Sequence, residues 1–192
     1  MANISAIHSV GASVVTYLRN SYPDSMRDAF PCQFSLFSSG DLVEVGDIPT
    51  TLSLFLYRVT MNEHLRNAGR VNGDKNVPLA LDLHYLMTVW ASSAEAEHSI
   101  LAWAMRQLYS HSVLDLSSLS SEAAWGADDL VQLIPAELSN EDIMRIWDAV
   151  NPPYRLSVSY IARVVRIDPD TETDSKPVVA TRFSVMDREA AP

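Results

Sequence analysis

The chain has 192 residues, long enough for one domain to bury roughly 70% of its unfolded surface with no disulfide or metal staple. Hydrophobic residues make up 47% and charged residues 20%, a globular balance that excludes a disordered chain. The net charge is −10, from 24 acids against 14 bases with no block of Lys or Arg, and this excludes the clustered cations on which phosphate-backbone binding depends, so no nucleic acid is expected as a partner.

No basic residue precedes Arg19, and the early apolar residues are spaced along the chain, so no secretory signal is expected. Ile4, Ile7, Gly11, Val14 and Leu18 recur at steps of three and four, which predicts a first helix over residues 3–20. Pro23 and Pro31 bracket a loop. CQFSLF (32–37) alternates, and SSGD then marks a turn. TLSLFLYRVTM (51–61) carries Leu52, Leu54 and Leu56 on one side and Phe55, Tyr57, Val59 and Met61 on the other, as a strand covered on both faces does. The connection that follows, NEHLRNAGRVNGDKNVP, is polar and too long for a hairpin, a type of segment that often carries function.

From Leu81 onward, Leu83, Tyr85, Met87 and Val89 make one apolar face of a strand, while Asp82, His84, Leu86, Thr88 and Trp90 make a mixed one. Ser92 with Glu95 reads as a capping box opening a helix that runs through Ile100, Leu101, Ala104 and Leu108 to His111. Its apolar run ILAWAM (100–105) is far too short for a bilayer, and no membrane is expected as a partner. A Ser-rich, Pro-punctuated region leads to a helix in LSNEDIMRIWDAV, with Ser139 as N-cap, Asp142 at its third position and Leu138 stapled to Ile143. Asn151-Pro-Pro ends that helix, because the Pro152 ring disfavours helical geometry in the residue before it. YRLSVSYIARVVRID (154–168) alternates as a long strand, and PVVATRFSV (177–185) is a last candidate.

The fold class expected is α/β (α+β): a single domain over residues 1–192, with a mixed or largely antiparallel sheet and helices packed on it, and a flexible end at 187–192.

Motifs for chemistry fail on spacing. GRVNGDK (69–75) lacks the Gly spacing of a phosphate loop and has no Ser or Thr after Lys75. There is no G-x-G-x-x-G, G-x-S-x-G or H-E-x-x-H. The single cysteine, Cys32, permits no intramolecular disulfide and no Cys-based zinc cluster, fits a reducing cytosol, and reads as a small buried hydrophobe. DPDTETD (168–174) has Thr173 where a calcium loop needs Gly and Val179 where it needs Glu, so a solvated turn is expected. Asp82 and His84 share a strand face and could hold a hydrogen bond or a metal; His98 and His111 lie at different ends of the next helix and supply no third ligand. A satisfied polar pair under a loop or a neighbouring subunit is the expected role, with a metal- or small-ligand-binding enzyme built on Asp82 and His84 as the alternative. No catalytic residue, cofactor or metal is expected.

TLSLFLYRVTMNEHLRN (51–67), PLALDLHYLMTVWA (78–91), IMRIWDAV (143–150) and PPYRLSVSYIARVVRID (152–168) resemble, in this order, the domain of the terminal cap proteins of extracellular contractile injection systems, the phage-tail-like particles. The resemblance covers residues 5–186. It implies a tail-terminator fold and a ring of copies of the chain, a homohexamer, that closes the baseplate-distal end of the inner tube and sheath. The partners it implies are the chain itself, the inner tube protein and the sheath protein, in a particle made in the cytoplasm. Larger members carry further C-terminal sequence, and the family offers no catalytic residue to transfer. The residues expected to bind partners are Asn62, Leu65, Arg66 and Asn67 in N-E-H-L-R-N, with Asp82 and His84 on the mixed strand face.

Overall fold

The computed structural model describes residues 2–43, 45, 46, 48–62, 78–150 and 152–169. The expected first helix is α1, Ala6–Ser21. It begins after Ile4, which is 76% exposed, so the buried stripe runs through Ala6, Val10, Gly11, Val14 and Leu18, with Ser9 and Ser13 beside it. Gly11 lets the helix lie close on the sheet: a Cβ there would stand 2.8 Å from Leu36 Cδ1 and 3.4 Å from the Tyr85 hydroxyl. Glycine inside a helix is worse than alanine by about 1 kcal/mol, so close approach outweighs propensity at this position. The buried hydroxyls are satisfied, since Trp125 Nε1 donates to Ser9 Oγ (2.9 Å) and the Ser120 N–H to Ser13 Oγ (2.8 Å).

The segment between Pro23 and Pro31 is not all loop. It holds α2, Asp24–Ala29, with Pro23 at its N-cap. The expected turn at SSGD is likewise a short helix, α3 (Ser39–Val43), tied down where Ser38 N–H and Oγ both donate to Asp41 Oδ2 at 2.7 Å. Short polar segments of this kind carry too little hydrophobic periodicity to be told from turns.

Among the described residues six strands form one sheet, in the order β1-β2-β3-β6-β5-β4. They are β1 (Gln33–Phe37), β2 (Thr51–Met61), β3 (Leu79–Trp90), β4 (Val113–Leu114), β5 (Val131–Ala136) and β6 (Ser157–Ile167). Only β1 and β2 run parallel, joined through α3; the other pairs are antiparallel. The expected strand from residue 154 starts at Ser157. Strand β5 went unread because Pro135 interrupts it. Leu133 N–H donates back to Ser112 O (2.7 Å), so by alternation residue 135 directs its nitrogen to the same side, past the end of β4, where proline breaks no ladder bond.

Helix α4 (Ala94–Ser110) is capped by Ser93, whose Oγ accepts from Ala96 N–H at 3.2 Å, and not by a Ser92–Glu95 box. Helix α5 (Asn140–Ala149) is capped as expected by Ser139, which accepts from Asp142 N–H at 3.1 Å. The sheet has a core on each face. The larger one joins α1 and α4 to Leu52, Leu54, Leu83, Tyr85, Met87, Val89, Tyr160 and Ala162. The smaller one gathers Leu42, Leu86, Trp90 and Trp147, with Leu138 and Ile143 packed beside them as the expected staple requires. The expected strand at 177–185 and most of the β2–β3 connection, 63–77, lie outside the described residues.

Candidate functional site

Strand β3 keeps the two faces read from its sequence, with Leu81, Leu83, Tyr85, Met87 and Val89 all buried in the larger core. Its neighbours do not keep one parity. The β2–β3 register shifts between Leu56 and Arg58, leaving Tyr57 as the extra residue. Beyond it Val59 pairs with Leu83 and Met61 with Leu81, so both turn onto the larger-core face, opposite to the side expected from strict alternation. A second shift on β6 sets two residues, Arg163 and Val164, opposite Asp82. It turns Val165 and Ile167 back to the larger core, where an unbroken alternation would have pointed them away.

Asp82 and His84 sit between these two bulges, and their geometry explains two polar residues inside an apolar strand. Val164 has φ 61°, the left-handed region, which is an outlier for a β-branched residue. Its N–H has left the ladder and donates to Asp82 Oδ1 at 3.1 Å. Asn62, only 4% exposed, donates Nδ2 to the same carboxylate at 3.0 and 3.2 Å. One carboxylate thus accepts from the β6 bulge and from the residue that follows β2. His84 is in register with Arg58; its Nε2 lies 3.0 Å from Thr60 Oγ1 and its ring meets Tyr57 edge-on with centroids 6.0 Å apart. Burial first, then the Arg58 guanidinium, holds the His84 pKa below its ordinary value against the opposing pull of Asp82.

His84 therefore takes up a proton less readily in the fold than in the unfolded chain, where histidine protonates near pH 6.5; acid then favours the unfolded chain, and stability is lost as pH falls below about 6.5. The urea midpoint should drop between about pH 7.5 and about pH 5.5, and His84→Gln should drop less over the same interval. An equal drop in both proteins would show that His84 does not carry the effect.

Asp82 and His84 thus bond to β2 and β6, and no bond between them is found among the described residues. No group of three or more His, Cys, Asp or Glu side chains there could hold a metal ion. Cys32 is half-buried, and burial pushes its thiol up to about 11, the state of a packing residue and not of a nucleophile. No helix among the described residues is long and apolar enough to cross a membrane. The structure brings Asn62, Asp82 and His84 together at the base of the β2–β3 connection; Leu65, Arg66 and Asn67 lie outside the described residues. What sequence reading missed is the pair of bulges, although the parity slips from Leu56 to Val59 and from Ala162 to Val165 mark both of them.

The family model described as Pvc16 N-terminal domain matches residues 9–181. No curated protein sequence matches the chain. Among solved structures, the chain is similar to the sheath/tube terminator of the PVC extracellular contractile injection system in its extended state, with a TM-score of 0.60 and 18% identity over 96% of this chain and 64% of that one. It is also similar to the tube-terminating cap of the anti-feeding prophage, with a TM-score of 0.58 and 17% identity over 92% of this chain and 60% of that one. The chain therefore spans less than two thirds of either structure. These likenesses establish a shared mixed α/β fold.

Proposed function

Because the chain belongs to the Pvc16 N-terminal domain family, we propose that it is a structural cap: it closes the baseplate-distal end of the tube and sheath of a contractile injection particle and so terminates assembly. The observation that carries this reading is the family match over residues 9–181, supported by two solved neighbours that are themselves sheath/tube or tube terminators. The cap acts as a ring of identical subunits, a homohexamer, since a head-to-tail contact repeated about an axis closes when its rotation closes. Its partners are further copies of itself, the inner tube protein and the sheath protein; it is made in the cytoplasm and works without catalysis, cofactor or nucleic acid. The rival enzyme reading loses its support, because the Asp82 carboxylate is taken up by Asn62 and Val164 and the His84 ring by Thr60.

In this reading residues 62–67 face a neighbouring component, with Asn62, Asp82 and His84 fixing the base of the contact. Leu65 is the one apolar side chain in N-E-H-L-R-N, flanked by Arg66 and Asn67, the composition of an apolar contact with a polar rim. Leu65→Asp combined with Arg66→Glu should keep the wild-type circular dichroism spectrum and lose co-sedimentation with particles. A folded double variant that still caps particles of normal length would remove residues 62–67 from the mechanism. Wild-type protein absent from particle ends in electron micrographs would remove the function itself.

A further inference from the structure

Past its bulge, β2 has a free side. β1 pairs with β2 only as far as Phe55, so among the described residues no strand lies beside Leu56–Met61. The direction of its backbone groups follows from one bond. Asn62 N–H donates to Ala80 O at 2.9 Å, so residues 60 and 58 also aim at β3, and the N–H and C=O of Val59 and Met61 point outward. Both side chains are exposed too, Val59 at 43% and Met61 at 59%, beside Leu79 at 43% on the same face. The opposite face of this edge carries Arg58, exposed and in no ion pair among the described residues. There Tyr57 and Arg58 line an open groove of ≈ 410 Å³ against Leu138, Asp142, Arg145 and Ile146 of the α5 region, where Arg145 is already paired with Glu141 and Arg58 is the groove's unpaired cation among the described residues.

An exposed apolar edge is an aggregation hazard that folded proteins usually cover or block. This one carries the Tyr57 bulge and the charge of Arg58 but no proline, so the outward groups of Val59 and Met61 stay open to pairing, while β5 carries Pro135 on its open side. We propose that the outer edge of β2 from Val59 to Met61 is a strand-addition site for an extended segment of another particle protein, one that alternates apolar and acidic side chains. The proposal rests on the cap reading above. An added strand bonds to the outward groups of Val59 and Met61; its apolar side chains then lie on the Val59, Met61 and Leu79 face and its carboxylates on the Arg58 face. The described strands are all committed to the sheet, which is why the occupant is assigned to another protein.

The test is fluorescence anisotropy of the full chain with a labelled eight-residue peptide alternating valine and glutamate, against the same peptide with lysine in place of glutamate. The glutamate peptide should bind at least about tenfold more tightly than the lysine one. Val59→Pro removes an outward N–H without touching the β3 ladder and should weaken binding by at least about tenfold. Arg58→Glu changes only an exposed side chain and should reverse the peptide preference, so the idea stays testable if the proline variant fails to fold. No binding of the glutamate peptide to the wild type, or equal binding by folded Val59→Pro, overturns the proposal. Binding that appears only after deletion of residues 177–192 assigns the edge to the chain's own end, and self-association lost in Val59→Pro without peptide binding assigns it to a second copy; either overturns the assigned occupant. Co-sedimentation of wild type with particles is scored separately: its failure removes the cap reading, while peptide binding alone decides the edge.

Discussion

Asp82→Ala is expected to lower the unfolding free energy by about 3 kcal/mol, measured as a fall in the urea midpoint at constant slope. The half-buried carboxylate accepts from Val164 N–H and from the Asn62 amide, and alanine leaves both donors without that acceptor. Hydrogen bonds to a charged group contribute about 1.5–3 kcal/mol each and are not additive, so the sum is capped near the value given. Asp82→Asn keeps one acceptor oxygen and should lose roughly half as much. The strained bulge supplies a second arm. In a Val164→Gly background the left-handed backbone is relaxed, and Asp82→Ala should then be milder by about 1 kcal/mol. If Asp82→Ala costs less than about 1 kcal/mol in the wild-type background, the carboxylate does not hold the β6 bulge and the end of β2 together. Since Asp82 binds Asn62 directly after Met61, a real loss at Asp82 should also loosen the Val59–Met61 edge and weaken attachment to particles.

Trp147→Ala should be more severe, about 4 kcal/mol, because Trp147 is 4% exposed and is the one fully buried side chain of α5. Its ring meets Trp90 and Tyr154 edge-on at centroid distances of 6.0 and 6.1 Å, so truncation opens the smaller core beneath the helix. The indole nitrogen, by contrast, is buried with no hydrogen-bond partner among the described residues. Trp147→Phe removes that unsatisfied donor with a modest loss of volume and should cost less than about 1.5 kcal/mol. Chemical denaturation of both variants checks the pair. Equal losses would mean that the indole N–H is bonded after all and that packing is not the main term.

Much of the fold was legible in the chain. The long central strands carry period-two patterns, Leu52-Leu54-Leu56 and Leu83-Tyr85-Met87-Val89, whose burial on one face is dictated by the pleat. Helix α5 announced itself through Ser139, Asp142, Leu138 and Ile143, because a cap and a staple are local chemistry. The family resemblance rested on those same strand blocks and agrees with the match over residues 9–181. For the site, sequence located Asn62, Asp82 and His84 at one end of the central strands, since their positions follow from counting along β2 and β3.

Other features depended on residues far apart in the chain. Whether Asp82 pairs with His84 or with a distant partner depends on the register between β3 and β6, and that register contains a bulge whose donor, Val164, lies 82 positions away. The side chosen by Val59 and Met61 depends on a single extra residue, Tyr57, because a one-residue slip inverts every later side chain. Strand β5 tolerates Pro135 only because β4 begins no earlier than Val113, and Gly11 sits inside a helix only because Leu36 and Tyr85 approach it from the sheet. Sequence by itself determined the local periodicities, the caps and the two faces of the central strand, all of which are set by near-neighbour sterics and burial. Tertiary structure decided register, bulges and the open edge of β2, because these depend on which strand lies alongside and where its pairing stops.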